Sequence, residues 1–179
     1  GLGSNCAVAL ARTGVGKLVL VDFDTVDKTN LNRQYYFADQ IGMKKVDALS
    51  ENLFRVRKDL EIEKHDTKLD PVSIRSVFSD CDLIVEAFDL AEMKHMIIET
   101  VICDLPEIPL VVGNGMAGWG RSNELKTEKA ADHLYICGDQ TSDIMDGLPP
   151  LAPRVGIVSM MQANTALNIL LETENTLEL

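Results

Sequence analysis

The sequence has few aromatic residues and no regularly spaced cysteines. Aromatic residues make up 5% of the 179 residues and hydrophobic residues 46%, so we expect an aliphatic core. The four cysteines, Cys6, Cys81, Cys103 and Cys137, form no C-x-x-C pair. This argues against a zinc site or a disulfide framework and suits a reducing compartment. We therefore predict no zinc and a cytoplasmic protein.

Long apolar runs and an excess of basic charge are also missing. No apolar run approaches the ~18 residues that indicate a membrane span, and the N-terminus lacks the pattern of a signal peptide. The net charge is −11, with 28 acidic and 17 basic residues. A nucleic-acid binder needs a basic surface, so this charge argues against nucleic acid as a partner. We expect no membrane association either.

Strands and helices are predicted to alternate along most of the chain. The predicted strands are 17–24, 60–66, 81–89 and 109–115, and the predicted helices are 4–12, 45–58, 71–78, 90–103 and 154–172. One or two antiparallel edge strands are expected between residues 116 and 139. This order predicts one domain over 1–179 with a Rossmann-like, doubly wound α/β fold, a mostly parallel sheet and antiparallel edge strands near the C-terminal end.

The first residues, "GLGSN", resemble the second half of a glycine turn. Such a turn normally follows a strand, and no strand precedes Gly1. We therefore expect an N-terminally truncated domain whose first strand and first glycines are missing.

Glycines and acidic residues are predicted to meet at the carboxyl ends of the parallel strands, where α/β folds bind ligands. Gly1 and Gly3 lead into a helix N-terminus, which favours phosphate. Asp22 follows the first predicted strand and could accept hydrogen bonds from a ribose, and Asp89 follows a later strand. These residues alone are typical of any nucleotide- or dinucleotide-binding Rossmann domain.

The segment "NLNRQ" and the lysine after it favour a triphosphate over a dinucleotide. Asn30, Arg33 and Lys45 supply polar and positive groups that the concentrated charge of a triphosphate requires. Asp89 could then hold Mg²⁺, because magnesium takes few carboxylates and completes its shell with phosphate oxygens. The P-loop motif G-x-x-x-x-G-K-[ST] is absent.

The stretches "GLGSN", "GVGKLVLVDFDTVDKTNLNRQYYF", "IGMKKVDAL" and "DLIVEAFD" together resemble the ubiquitin-activating-enzyme-like superfamily that includes ThiF and MoeB. Within it the chain is most similar to the short bacterial ThiF proteins, which adenylate the sulfur carrier protein ThiS. The segment "LAPRVGIVSMMQANTALNIL" (151–170) adds a second match. The resemblance implies an adenylyltransferase that uses Mg-ATP to adenylate the C-terminal glycine of a ubiquitin-fold carrier in thiamine thiazole synthesis. It also implies a homodimer.

The resemblance also implies a role for each candidate residue. Gly1 and Gly3 lie near the phosphates, and Asp22 binds the ribose. Asn30, Arg33 and Lys45 contact the triphosphate, and Asp89 coordinates Mg²⁺. Arg33, Lys45 and Asp89 are the expected catalytic residues.

Three features allow more than one interpretation. Cys137 could form a covalent intermediate with the carrier, but its acidic neighbours would raise the pKa of the thiol, so we expect a buried strand cysteine. Tyr35, Tyr36 and Phe37 could stack on adenine or contact the carrier, but we expect them to fill the core. The glycine-rich "GNGMAGWG" (113–120) could admit the thin tail of a carrier.

Four other functions are alternatives. The chain could activate the carrier of a molybdopterin, cysteine or siderophore pathway, or it could be a tRNA-modifying dehydratase of the same superfamily. It could also be an NAD-binding oxidoreductase, which Arg33 and Lys45 argue against. A fourth alternative is a protein that docks a carrier without catalysis.

Overall fold

Residues 1–142 and 147–173 are described by a computed structural model, in which helices and strands alternate. The α-helices in these ranges are Leu2–Thr13 (α1), Lys45–Val56 (α2), Pro71–Phe78 (α3), Ala91–Asp104 (α4) and Ala152–Thr173 (α5). The strands are Lys17–Val21 (β1), Glu61–His65 (β2), Ile84–Glu86 (β3), Leu110–Gly113 (β4), Lys126–Ala131 (β5) and Leu134–Gly138 (β6). Each predicted helix is therefore confirmed to within a few residues.

The strands of the described ranges form two sheets. In the first, β1 and β2 pair in parallel. In the second, the order is β3-β4-β6-β5, where the first three strands are parallel and β5 is antiparallel to β6. We expected antiparallel edge strands in this region, and β5 is one. However, β6 lies inside the sheet, because the chain reaches the outer edge with β5 and then returns beside β4.

Helices cover both faces of the sheets, as a doubly wound fold requires. Leu18 and Leu20 of β1 pack with residues of α1 and α2. Val19 and Val21 point the other way and pack with residues of α3 and α4. This alternation shows that both faces of β1 are covered.

Two strands are shorter than predicted, and each ends at an acidic side chain that accepts a hydrogen bond from the backbone two residues later. The segment 17–24 leaves the strand after Val21, where a carboxylate oxygen of Asp22 accepts a hydrogen bond from the backbone N–H of Asp24 at 2.9 Å. The segment 81–89 is a strand only over Ile84–Glu86. There Glu86 Oε1 accepts a hydrogen bond from the backbone N–H of Phe88 at 2.5 Å.

The long helix α5 lies against α1, β4 and β6. Its buried side includes Val155, Val158, Ala166 and Ile169, which pack with side chains of α1 and the sheet. The residue Met160 is exposed, so α5 also carries an apolar surface. In the part of the chain that the structure describes, no helix is both long and apolar enough to cross a membrane.

Candidate nucleotide-binding site

Four of the predicted charged residues surround the start of α1. Burial is the main cause that lowers the pKa of the α-amino group of Gly1 to about 5. The positive charges of Arg33 and Lys45 lower this pKa further, whereas the carboxylates of Asp22 and Asp89 oppose the shift. The geometry agrees, since a Cβ on Gly1 would lie 3.3 Å from Cγ of Arg33 and Lys45 Nζ lies 3.7 Å from Asp22 Oδ2. The structure thus brings together residues from four separate segments of the chain.

The start of α1 has the features of an anion site. The helix begins after Gly1 without a hydrogen bond from a capping side chain. Its first N–H groups therefore remain free to bind a ligand, and the helix dipole adds partial positive charge there. A Cβ on Gly3 would lie 3.2 Å from Cβ of Ala87, so a glycine lets α1 approach the end of β3 closely. This approach brings the helix N-terminus near Asp89.

Arg33 is held by a short helical turn that precedes it. The 3₁₀ turn Lys28–Asn32 begins at Asp27, whose carboxylate accepts a hydrogen bond from the N–H of Thr29 at 2.8 Å. Arg33 Nη1 then donates to the backbone oxygen of Thr29 at 3.2 Å and to Asn32 Oδ1 at 2.8 Å. These two hydrogen bonds hold the Arg33 guanidinium against the 3₁₀ turn that precedes it.

Asn30 has a structural role that the sequence did not reveal. Its Oδ1 accepts a hydrogen bond from the backbone N–H of Asp27 at 2.9 Å and so completes a capping box. The predicted contact between Asn30 and the triphosphate stays a prediction.

Two polar residues of α1 fix the Arg33 segment, and neither was among the predicted site residues. Asn5 Nδ2 donates to the backbone oxygens of Gly1 at 2.7 Å and of Arg33 at 2.8 Å. Ser4 Oγ accepts a hydrogen bond from the backbone N–H of Tyr35 at 2.9 Å. A signal was present in the sequence, since Ser4 and Asn5 are polar residues in the first turn of a helix whose residues 6–11 are all apolar.

Lys45 is nearly buried between two carboxylates. Its side chain is 11% exposed, and Nζ lies 2.6 Å from Asp24 Oδ2 and 3.7 Å from Asp22 Oδ2. The backbone N–H of Lys45 also donates to the backbone oxygen of Asp24 at 2.9 Å. Asp24 was not predicted as a site residue. The spacing of the two acids in "DFD" was the available signal.

A buried ion pair supports the backbone next to Asp89. Lys94 Nζ donates to Glu86 Oε1 at 2.8 Å, to Glu86 Oε2 at 2.9 Å and to the backbone oxygen of Gly113 at 2.8 Å. Burial raises the pKa of Glu86, and the positive charge of Lys94 opposes this shift. Gln162 Nε2 donates to the backbone oxygen of Glu86 at 2.8 Å. Lys94 therefore ties the carboxyl ends of β3 and β4 together beneath the candidate site.

The family model of ThiF matches the chain over residues 1–178. The chain belongs to the ThiF family. It is 27% identical over 176 residues to the molybdopterin-synthase adenylyltransferase of Escherichia coli, an alignment that covers 95% of this chain and 69% of the relative. It is 29% identical over 192 residues to the adenylyltransferase and sulfurtransferase uba4 of Emericella nidulans, covering 99% of this chain and 39% of that protein. These names confirm the expected enzyme class, adenylyltransferase.

Solved structures share the fold of this ThiF-family chain at low sequence identity. The tRNA N6-threonylcarbamoyladenosine dehydratase TcdA of Escherichia coli in complex with ATP matches with a TM-score of 0.84 at 20% identity, over 97% of this chain and 84% of TcdA. Escherichia coli MccB with ATP matches with a TM-score of 0.71 at 19% identity, over 94% of this chain and 53% of MccB. The predicted Rossmann-like α/β fold is confirmed.

Cys137 of the ThiF-family chain lies in β6 and is fully buried, as expected. Its Sγ lies 3.5 Å from Thr127 Oγ1 and 3.8 Å from Thr165 Oγ1. The pKa of the thiol is raised, and burial is the main cause. We had expected acidic neighbours to raise it, so the predicted direction holds but for a different reason.

The three aromatic residues after Arg33 are placed differently from one another. Tyr36 is buried, and Tyr35 packs against the same core with partial exposure. Phe37 is 45% exposed, which corrects the expectation that all three fill the core. Arg55 lies over the Phe37 ring at 5.8 Å from its centroid, so a neighbouring cation covers part of this surface.

The glycines after β4 serve internal packing. A Cβ on Gly113 would collide with Leu2, and a Cβ on Gly115 would collide with Asp139. Gly115 also has a φ of 80° and would meet the backbone nitrogen of Gln140, so contacts within the chain itself account for this glycine.

Within residues 1–142 and 147–173, no group of three or more His, Cys, Asp or Glu side chains is arranged to hold a metal ion. A magnesium ion bound with a nucleotide does not need such a group, because phosphate oxygens supply most of its ligands. A single carboxylate such as that of Asp89 would fit this donor set.

Proposed function

We propose that this ThiF-family protein catalyses the ATP-dependent adenylation of the C-terminal glycine of a ubiquitin-fold sulfur carrier. The observation that carries the proposal is the mixed cluster of charges at the start of α1. Arg33 and Lys45 supply two positive charges, and Asp22 and Asp89 supply two carboxylates. A Cβ on Gly1 would lie 3.3 Å from Cγ of Arg33, and Lys45 Nζ lies 3.7 Å from Asp22 Oδ2. This combination suits a nucleotide whose ribose hydroxyls donate hydrogen bonds to a carboxylate and whose phosphates need cations.

The reaction requires positioning and neutralisation of charge more than acid–base chemistry. The carrier's carboxylate oxygen forms a bond to the α-phosphorus, the bond between that phosphorus and the bridging oxygen breaks, and pyrophosphate leaves. A carboxylate is already ionised at neutral pH, so no general base is needed. Arg33, Lys45 and the N–H groups of α1 would lower the repulsion between the two anions. Magnesium, held by Asp89, would add positive charge on the phosphates.

For the carrier itself, we propose a ThiS-like protein and thiamine thiazole synthesis. The resemblance of the motif-bearing segments to short bacterial ThiF proteins supports this choice. The carrier of molybdopterin synthesis is the second candidate, and it is favoured by relatives that are named molybdopterin-synthase adenylyltransferases. We further propose a cytoplasmic homodimer, and sedimentation velocity measures the oligomeric state directly.

The decisive experiment is ATP–pyrophosphate exchange with purified carriers. We expect exchange only when a carrier ending in Gly-Gly is present, and we expect a ThiS-like carrier to give a higher kcat/KM than a molybdopterin carrier. The matched control is the same carrier without its last glycine. Absence of carrier-dependent exchange with both carriers would refute adenylation. A preference for the molybdopterin carrier would refute only the choice of pathway.

A further inference from the structure

The single tryptophan of the chain lies on the surface. Trp119 is the sole Trp among the 179 residues, and it is 66% exposed. Tryptophan is on average one of the more buried residue types, so a mostly exposed one is informative. It is also among the residues that contribute most to protein–protein binding.

The loop that carries Trp119 is held firmly from two sides. On one side the backbone N–H of Gly118 donates to the backbone oxygen of Pro149 at 3.0 Å. On the other side Arg154 Nη1 donates to the backbone oxygens of Gly120 at 2.7 Å and of Arg121 at 3.2 Å. The Arg154 side chain is 1% exposed and forms an ion pair with the buried Asp139. A fixed loop presents an aromatic side chain at little entropic cost on binding.

The backbone of this loop is also unusual at a residue beside Trp119. Arg121 has φ of 48°, a left-handed conformation that is uncommon for a residue other than glycine. Surrounding contacts must maintain such a conformation, and it is frequent at binding sites. Here Arg154 supplies the contact. The loop is therefore built to hold one shape, with Trp119 on its outer side.

The loop starts at the candidate nucleotide site. It follows Gly113, whose backbone oxygen binds Lys94 next to Glu86. Trp119 is six residues beyond Gly113, which is at most about 20 Å of extended chain. A protein that places its C-terminal tail at the nucleotide would approach this same edge of the sheet, and Trp119 lies no more than about 20 Å from Gly113 at that edge.

We propose that Trp119 is an anchor for the carrier protein, which covers the indole while its C-terminal tail reaches the nucleotide. This inference rests on the proposed function, because that function requires a protein substrate at this edge. The partner is a small protein with a free C-terminal tail and an apolar contact surface beside that tail. The indole of Trp119 lies outside the aliphatic core of the chain and is therefore available for this contact.

Fluorescence of Trp119 tests the proposal directly, since no other tryptophan contributes to the signal. A ThiS-like carrier that contains no tryptophan is titrated into the protein with and without ATP. We expect a blue shift of the emission and protection from acrylamide quenching that saturate with carrier. ATP alone should leave the emission unchanged. The same titration with the carrier that lacks its last glycine should still shift the emission, because the anchor lies outside the tail site.

Kinetics of two variants complete the test. Trp119→Ala should raise the KM for carrier about tenfold or more and leave the KM for ATP unchanged. Phe54→Ala is the matched control, since Phe54 is also a large exposed apolar residue, 42% exposed, but lies near the far end of α2. It should change neither constant.

The outcomes separate this inference from the proposed function. Carrier adenylation with an unmoved Trp119 emission and an unchanged KM in Trp119→Ala would overturn the anchor and leave the function standing. A blue shift without adenylation would support the anchor although catalysis had failed. A shift that depends on protein concentration without carrier would show that a second copy covers Trp119, which would overturn the proposal.

Discussion

Lys45 shows how one residue can carry charge into the candidate site. Its ammonium lies between Asp22 and Asp24, at 3.7 Å and 2.6 Å from their oxygens, and its side chain is 11% exposed. A charge that is partly withdrawn from water acts more strongly on a nearby phosphate than a solvated one. The carboxylate of Asp24 partly neutralises this charge and orients the Lys45 side chain before a nucleotide binds.

We predict that Arg33→Ala and Lys45→Ala each lower carrier-dependent pyrophosphate exchange by on the order of a hundredfold or more, because each removes a charge that stabilises the transition state. Far-UV circular dichroism should show an unchanged fold. The matched control is Lys44→Ala. Lys44 is adjacent in sequence, 44% exposed, and paired with Asp66 at 3.2 Å. Near-normal exchange by Lys45→Ala would remove Lys45 from the catalytic machinery.

At the scale of elements, one buried ion pair joins three segments. Asp139 follows β6, Arg154 lies in the first turn of α5, and Arg154 holds the loop between β4 and β5. The Asp139 carboxylate also accepts hydrogen bonds from the backbone N–H groups of Thr141 at 2.9 Å and Ser142 at 2.8 Å. The segments are thus connected by charge-assisted hydrogen bonds.

Breaking this pair should destabilise the fold strongly. We predict that Asp139→Asn lowers the free energy of unfolding by about 3–5 kcal/mol, because it leaves the Arg154 charge buried without its partner. The control is Asp104→Asn, which breaks the more exposed Arg75–Asp104 pair at 2.7 Å. That change should cost about 1 kcal/mol or less. Urea unfolding measures both, and equal effects would contradict the special role of the buried pair.

The same pair has a predictable pH dependence. Burial by itself raises the pKa of Asp139, but hydrogen bonds from Ser142 and Thr141 and the charge of Arg154 outweigh it, so the pKa lies below the ordinary 3.8. An acid with a lowered pKa stabilises the folded state above its unfolded pKa and loses this effect as the pH falls through its folded pKa. The stability difference between the wild type and Asp139→Asn should therefore be constant above about pH 5 and shrink below pH 3.8.

For the molecule as a whole, the helices and strands could be predicted from the sequence because they follow from local pattern. Asp22 and Asp89 could be proposed as site residues because acids at the ends of buried strands lie at one edge of a parallel sheet, and their roles in nucleotide binding stay predictions. Asp24, Glu86 and Lys94 were missed as site residues because a buried ion pair depends on which segments become neighbours. For the same reason, the interior position of β6 was not predicted, since an apolar strand pattern does not specify its partners.

The acidic net charge of the 179 residues argues for carrier activation over tRNA modification. With a net charge of −11, the protein should repel the phosphate backbone of tRNA instead of releasing its counterions. We predict no saturable binding of unfractionated tRNA by fluorescence anisotropy at 50 mM or at 150 mM salt. The dehydratase TcdA of Escherichia coli, whose fold matches this chain, is the comparison protein in the same assay.

Tight tRNA binding that weakens with salt, together with tRNA-stimulated ATP turnover, would overturn the proposal that a carrier protein is the substrate. Because counterion release makes such binding steeply dependent on salt, the contrast between the two salt concentrations distinguishes an electrostatic complex from an absence of binding.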